Sequence, residues 1–347
     1  LHSENHNSNV MVENVANYVC EPAISALTNG SANITVKWSK VAGAAGYQVY
    51  RKAGSGSWTL AKTITSGSTV SWSDTKATSS GTKYQYKVRA IAKTSAGTIV
   101  NKSTDSAIAT RYFLTQPKIS AVTNTSTGIT VEWGKVTGAT AYKLYRKAGS
   151  TGEWKLYKTT VDTSYTNTGL KSGVKYQYKV VAVKTVGSTD YTSAASAIKT
   201  KYFVAAPVIN SIVNGATSIT VKWDKVAGAT GYRVYRKAGT SSTAEWTLIK
   251  TIDSGDTLSY ADLNRTNGTK YQYKIVAIKT VSGTNYVGAY SNVRTMYRLT
   301  RPTIASATNS GAGKITVKWD KNDKATGYQV KYVVGSTTKT VKVTSAS

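Results

Sequence analysis

The sequence predicts an all-β protein: tandem seven-stranded β-sandwiches arranged as a rod. Three observations carry this prediction. A Trp-bearing segment returns four times at nearly constant spacing, apolar and polar residues alternate with period two inside each copy, and no stretch shows helical periodicity. Composition agrees, because Thr, Val and Tyr are abundant while Met and Phe number only 2 each. β-Branched and aromatic side chains suit a pleated, half-buried surface. At 347 residues the chain suits three to four modules of about 90–100 residues rather than one.

The repeat is direct. Ile34 to Trp38 (ITVKW) returns at Ile129 to Trp133, Ile219 to Trp223 and Ile315 to Trp319, which places the tryptophans 95, 90 and 96 residues apart. Tyr47 to Lys52 recurs at Tyr142 to Lys147, at Tyr232 to Lys237 and, altered, at Tyr328 to Tyr332. Lys83 to Lys87 recurs at Lys175 to Lys179 and Lys270 to Lys274.

In the first copy the strands fall in order. A segment near 22–28 opens on Pro22. The next, 33–39, alternates Ile34, Val36 and Trp38 with Thr35 and Lys37. The third, 46–53, sets Tyr47 and Val49 inward and ends in the turn Ala53 to Ser57. Segments near 58–64 and 68–74 follow. The sixth, 83–93, leaves the turn Ser79 to Gly81 with Tyr84, Tyr86, Val88 and Ala90 on one face, and Gln85, Lys87 and Arg89 on the other. A seventh near 104–111 completes the set, and 95–102, 186–193 and 281–291 read as loops.

These residues resemble the fibronectin type III module of immunoglobulin-like topology. A proline opens each copy (Pro22, Pro117, Pro207, Pro302), the family's second-strand tryptophan matches Trp38, Trp133, Trp223 and Trp319, and its third-strand tyrosine matches Tyr47, Tyr142, Tyr232 and Tyr328. The turn into the sixth strand matches at Leu170, Gly173 and Tyr176; in the first copy Gly81 and Tyr84 remain without an obvious leucine, and in the third Leu263, Gly268 and Tyr271 span a longer turn. By resemblance, Tyr84, Tyr176 and Tyr271 are tyrosine-corner residues that bury the ring and return the hydroxyl to nearby backbone. The Lys, Thr and Tyr enrichment and the segment Trp38 to Ala44 are similar to modules of Gram-positive bacterial surface proteins.

The resulting expectation is modules at 22–116, 117–206 and 207–301, with a truncated fourth at 302–347. Residues 1–21 form an N-terminal segment in which Asn14 to Tyr18 reads as the last strand of a truncated preceding module. Both ends then read as cut inside modules.

Lys plus Arg total 45 against 16 Asp plus Glu, a net charge of +29. The excess follows the modules, and residues 1–21 hold no Lys or Arg. Such a field draws the chain toward polyanions, and Lys on exposed strands also keeps sheet edges soluble. The expected partners are anionic cell-wall polymers or host glycans, together with other domains of the same full-length protein. Phosphate contacts alone give nucleic-acid affinity without sequence reading, so no specific nucleic-acid partner is expected. No apolar run is long enough to form a transmembrane segment.

The residues assemble no catalytic constellation. The only histidines, His2 and His6, lie outside the modules, whereas nucleophile–His–acid chemistry needs an imidazole beside its nucleophile. The acids (Asp74 and Asp105 in the first copy; Glu132, Glu153, Asp162 and Asp190 in the second) read as scattered, without the facing pair that glycoside hydrolysis uses. Asp253 with Asp256 is too thin a cluster for calcium. Cys20 is the single cysteine, so no intramolecular disulfide forms. Neither a metal nor a cofactor is expected.

One surface stands out. Strand alternation places Tyr50, Lys52 and Lys87 on one outer face, with Gln48 beside them. Tyr145, Lys147 and Lys179 match in the second copy, and Tyr235, Lys237 and Lys274 in the third. Ammonium groups there could pair with phosphate or carboxylate, and tyrosine rings could stack on sugars; good exposed-strand residues repeated by duplication would look the same. The functional expectation is a non-catalytic extracellular spacer or adhesive array on a bacterial surface. The alternatives are a binding module for anionic polymer, and accessory modules of a carbohydrate-active enzyme whose catalytic domain lies elsewhere.

Overall fold

The computed structural model describes residues 18–94, 96–322 and 324–344. All regular structure among them is β-strand. The chain divides into two compact units: Leu1–Val122, Thr130–Thr166 and Tyr176–Thr200 form one, and Thr123–Ile129, Asn167–Lys175 and Lys201–Ser347 the other.

In the first unit, β1 (Ile24–Asn29), β2 (Ile34–Trp38) and β5 (Ser71–Asp74) form a three-stranded sheet in the order β1-β2-β5. Facing it, β4 (Thr59–Ile64), β3 (Gly46–Ala53), β6 (Lys83–Lys93) and β7 (Ile99–Lys102) run in that order, with β8 (Ala109–Tyr112) also paired to β6. The alternation sorts side chains as expected. Ile34, Val36, Trp38, Tyr47, Val49, Tyr84, Tyr86 and Val88 share one buried core. Trp38 meets Tyr47 edge to face at 5.4 Å, and the Tyr47 hydroxyl accepts the Val41 amide at 3.0 Å.

Two expectations need correction. The segments read as loops form strands: β7 in the first repeat, and Thr189–Thr192 and Thr284–Tyr290 in the others. Tight turns let the sixth strand fold straight back; Ser282 and Gly283 supply two successive positive φ angles, 48° and 77°. The seventh strand near 104–111 is accordingly the far half of a longer strand, interrupted where Ser103 and Ser106 turn their hydroxyls onto the Ala90 and Val88 amides. Within the N-terminal segment, Val19 packs into the first core as Val204 packs into the third, while Asn14 to Asn17, His2 and His6 lie outside the described residues.

The second repeat contains β9 (Ile119–Asn124), β10 (Gly128–Trp133), β11 (Ala141–Ala148), β12 (Lys155–Thr160), β13 (Ser164–Thr168), β14 (Lys175–Val186), β15 (Thr189–Thr192) and β16 (Lys199–Tyr202). In the second unit, β17 (Ile209–Asn214), β18 (Ser218–Trp223) and β21 (Ser259–Leu263) make the three-stranded sheet. The larger sheet holds β19 (Gly231–Ala238), β20 (Thr247–Ile252), β22 (Lys270–Val281), β23 (Thr284–Tyr290) and β24 (Arg294–Tyr297). The fourth copy pairs β25 (Ile304–Gly311) with β26 (Lys314–Trp319), and β27 (Tyr328–Val334) with β28 (Thr337–Val343).

The connectors after the first and second repeats place side chains in the packed cores. Phe113 closes the first core, whereas Val204, one step further along the matching connector, belongs to the core of the third repeat. Alternation along an extended connector sends successive side chains in opposite directions. Polar contacts reinforce this. In the first unit Asn29 donates to the carbonyls of Tyr112 and Thr192, both at 2.9 Å, and Tyr112 packs on Tyr191 with ring centroids 5.0 Å apart. In the second unit Asn124 donates to Tyr202 and Val287, at 3.1 and 3.0 Å, and Tyr202 packs on Tyr286 at 4.8 Å. Backbone touches backbone as well: a Cβ on Gly138 would lie 2.3 Å from the Gly81 Cα.

Candidate functional site

Strand register assembles the outer face of the larger sheet. Tyr50 pairs directly with Lys87 and Lys52 with Gln85; Tyr145 pairs with Lys179 and Lys147 with Gln177; Tyr235 pairs with Lys274 and Lys237 with Gln272. The tyrosines and lysines named from the sequence therefore sit side by side in each repeat. Gln48 departs from the open-face expectation. It is 7% exposed and accepts a hydrogen bond from the Tyr50 hydroxyl at 3.1 Å, so the neighbouring ring covers it. Lys52, Lys147 and Lys237 are half-buried and form no ion pair among the described residues.

A residue that strand alternation did not reveal completes each cluster. Lys87 Nζ lies 5.6 Å from the Tyr50 ring centroid and 4.9 Å from that of Trp58. Lys179 lies 5.6 Å from Tyr145 and 4.6 Å from Trp154. Lys274 lies 5.9 Å from Tyr235 and 4.5 Å from Trp246. Each lysine is held between a tyrosine and a tryptophan, an arrangement worth about 0.5–2 kcal/mol per ring, depending on exposure. The tryptophans stand at the mouth of the hairpin leading into β4, β12 and β20. Their signal in the sequence was a recurring Trp-x-Leu: Trp58-Thr59-Leu60, Trp154-Lys155-Leu156, Trp246-Thr247-Leu248. The three leucines are 50%, 51% and 45% exposed, so the face offers apolar as well as cationic surface.

The clusters differ at two positions: Arg89, 5.2 Å from the Tyr50 ring centroid, is Val181 or Val276 in the other repeats, and the residue before a shared serine changes as well. Ser106, Ser196 and Ser291 each accept a β-strand amide, from Val88, Val180 and Ile275 respectively, and so mark equivalent backbone. The residue just before is Asp105, Ala195 or Tyr290. Asp105 pairs with Lys87 at 2.7 Å and grips Arg89 through both oxygens. Burial alone would raise the Asp105 carboxyl, but the hydrogen bonds from Arg89 and Lys87 win and hold it below the usual carboxylate range. Tyr290 instead closes on Lys274, with Nζ 3.7 Å from its ring centroid, and burial lowers the Lys274 ammonium. Ala195 supplies only a methyl group. Lys179 has no carboxylate partner among the described residues, and Asp190 on the neighbouring hairpin is held by Lys143 at 2.9 Å.

The acids also recur more than expected. Asp74 and Asp262 occupy matched positions opposite Ile34 and Ile219. Both are buried, each binding an arginine (Arg51 or Arg236) and a tyrosine hydroxyl (Tyr86 or Tyr273). They are single structural acids rather than facing pairs. No group of three His, Cys, Asp or Glu residues suited to a metal occurs among the described residues.

The tyrosine corner is formed in the first and third repeats. Tyr84 and Tyr271 are buried at the turn into the sixth strand, and their hydroxyls accept the amides of Ser79 and Thr266, at 3.4 and 3.1 Å. Residues 115–198 match the family model described as Fibronectin type III domain. The second repeat is fibronectin type III-like, and the other complete repeats share its strand order and its tryptophan and tyrosine positions. Among curated proteins it is similar to Exoglucanase B of Cellulomonas fimi, 32% identical over 199 residues, covering 52% of this chain and 17% of that protein. It is also similar to Fibronectin type III domain-containing protein 7 of Mus musculus, 31% identical over 211 residues, covering 60% of this chain and 27% of that one. The chain thus spans less than a third of these relatives. A solved structure of chicken CNTN1 FN1-FN3 domains aligns at 18% identity and a TM-score of 0.28, over 81% of this chain and all of that one. In all three complete modules the caged lysine lies on the larger sheet, away from the core.

Proposed function

We propose that this chain is a non-catalytic extracellular spacer, a run of fibronectin type III modules that sets the distance between other parts of a larger bacterial surface or secreted protein. The recurring connector supports this reading. The same asparagine bridge and tyrosine pair follow the first and second modules, Gly228 approaches Gly173 as Gly138 approaches Gly81, and a flexible tether would need none of these contacts. Ordered connectors convert module number into distance, because each fixed contact removes conformational freedom from the link.

The test is a distance distribution between spin labels placed at Thr69→Cys and Val161→Cys, both exposed, in a Cys20→Ser background. A narrow distribution that broadens on Asn29→Ala is the expected result. A broad distribution in the unaltered connector would overturn the spacer reading.

A second reading, accessory modules attached to a carbohydrate-active enzyme, is favoured by the similarity to a protein named as an exoglucanase. The genomic reading frame around this segment discriminates: a glycosidase domain in the same chain supports it, and a wall-anchoring segment supports the first.

A further inference from the structure

We infer that the second module carries a binding site for a uronic acid unit of an acidic polysaccharide, with the sugar carboxylate on Lys179 and its ring against Tyr145 and Trp154. The inference rests on the extracellular reading above and adds a ligand class to one of its modules.

The three modules present one experiment in triplicate. Each holds a lysine between a tyrosine and a tryptophan at nearly the same distances. In the first module a carboxylate from the chain itself, Asp105, lies on that lysine at 2.7 Å. In the third, Tyr290 covers it at 3.7 Å. In the second the matching residue is Ala195, and the lysine keeps its aromatic walls without an anion. The first module therefore shows that a carboxylate fits against this lysine from the direction of residue 105, there with Arg89 as a second partner; the second module has Val181 at that place, so Lys179 alone would hold the anion. The backbone there is held in place, since the Ala195 carbonyl accepts from the Gln116 side chain and the Ser196 hydroxyl accepts the Val180 amide.

The aromatic walls narrow the ligand class. Tyr145 and Trp154 are half-buried and keep part of their surface open to solvent. Leu156, paired with Tyr145 across the strands and 51% exposed, extends the apolar side. A sugar ring carrying a carboxylate matches both features, with its C–H face on the aromatics and its anion on the ammonium. A sugar without a carboxylate leaves the lysine unsatisfied, and a small inorganic anion leaves the rings uncovered. Binding at one such site is weak, and a polysaccharide with many uronate units gains avidity only from repeated engagement.

The probe is methyl galacturonoside, small and singly charged, so that attraction to the net +29 is minimal. It is titrated into the full chain, with methyl galactoside and acetate in parallel. The readout is the set of indole N–H resonances, assigned through single Trp→Phe variants. Saturable shifts of Trp154 are expected with the galacturonoside, at least tenfold stronger than with galactoside or acetate, and Trp58 and Trp246 should stay still. Ala195→Asp should weaken the Trp154 response at least tenfold, with little risk to folding because aspartate already occupies the matched position in the first module. Asp105→Ala should make Trp58 respond. Equal responses to galactoside, or to acetate, would overturn the assignment. So would an unchanged response in Ala195→Asp. The spin-label distances are independent of this titration, so either idea can fail alone.

Discussion

Tyr86 donates its phenolic proton to Asp74 at 2.9 Å inside the first module, where both side chains have no exposed surface. The acid is bound on its other side by Arg51 through both oxygens, at 3.0 and 3.1 Å. Tyr273, Asp262 and Arg236 repeat the network in the third module. The second module places Asn167 at the matching position, also fully buried. One buried ion pair is thus exchanged for an amide without changing the fold.

This network makes the protein sensitive to alkali. Burial, reinforced by the neighbouring carboxylate, holds the Tyr86 and Tyr273 phenols far above their ordinary value of 10.0. Burial raises Tyr178 as well, partly opposed by Arg146. A raised folded value stabilises fully below the unfolded value and is lost as pH climbs above it, because the unfolded phenol ionises first. Stability should therefore hold to about pH 10 and then fall by about 1.4 kcal/mol per pH unit for each buried phenol. Urea unfolding between pH 8 and 11, followed by fluorotryptophan resonances that report each module, measures the slope. Tyr86→Phe should flatten it at Trp38, and an identical slope would refute the assignment.

Removing the acid should be costlier than neutralising it. Asp74→Ala strands Arg51 beside a buried hydroxyl and should destabilise the first module by about 3–5 kcal/mol. Asp74→Asn should cost clearly less, since Asn167 serves the second module. Equal costs would mean that the charge, rather than the hydrogen bonds, holds the site. Urea midpoints read at Trp38 decide between these outcomes.

Trp133 is 3% exposed and packs edge to face on Tyr142 at 5.7 Å. Trp133→Ala should cost about 3–5 kcal/mol through the cavity it leaves. The loss should appear in the second module's midpoint, and an unchanged midpoint would remove the tryptophan from the core.

Gly138→Ala tests the first connector. Its φ of 79° already disfavours a side chain, and the new Cβ would collide with the Gly81 backbone. The expected outcome is a broadened distance between labels at Thr69 and Val161, with little change in the urea midpoint read at Trp133. A narrow distribution in this variant would show that the glycine contact does not set the connector.

How much was legible in the sequence follows from range. Alternation within one strand fixes which side chains face inward, so Ile34, Val36, Trp38, Tyr47 and Tyr86 were readable as core, and Tyr50 and Lys87 as outer-face neighbours. The candidate lysine cage was half legible. Its tyrosine lies opposite the lysine in regular register, but Trp58, Trp154 and Trp246 arrive from a hairpin mouth, where period-two reasoning stops.

The sequence by itself determined the all-β class, the repeat and the two faces of each strand, since these depend only on residue spacing and a backbone period of two. The tertiary structure alone decided that Asp105, Ala195 and Tyr290 stand at the same place beside a lysine 18, 16 and 16 residues earlier in the chain. It alone decided that Asn29 reaches Thr192, which is 163 positions away. The physical reason is common to both. Hydrogen bonds and ion pairs form wherever the packed sheets bring donors and acceptors within about 3 Å, and sequence spacing carries no record of that distance.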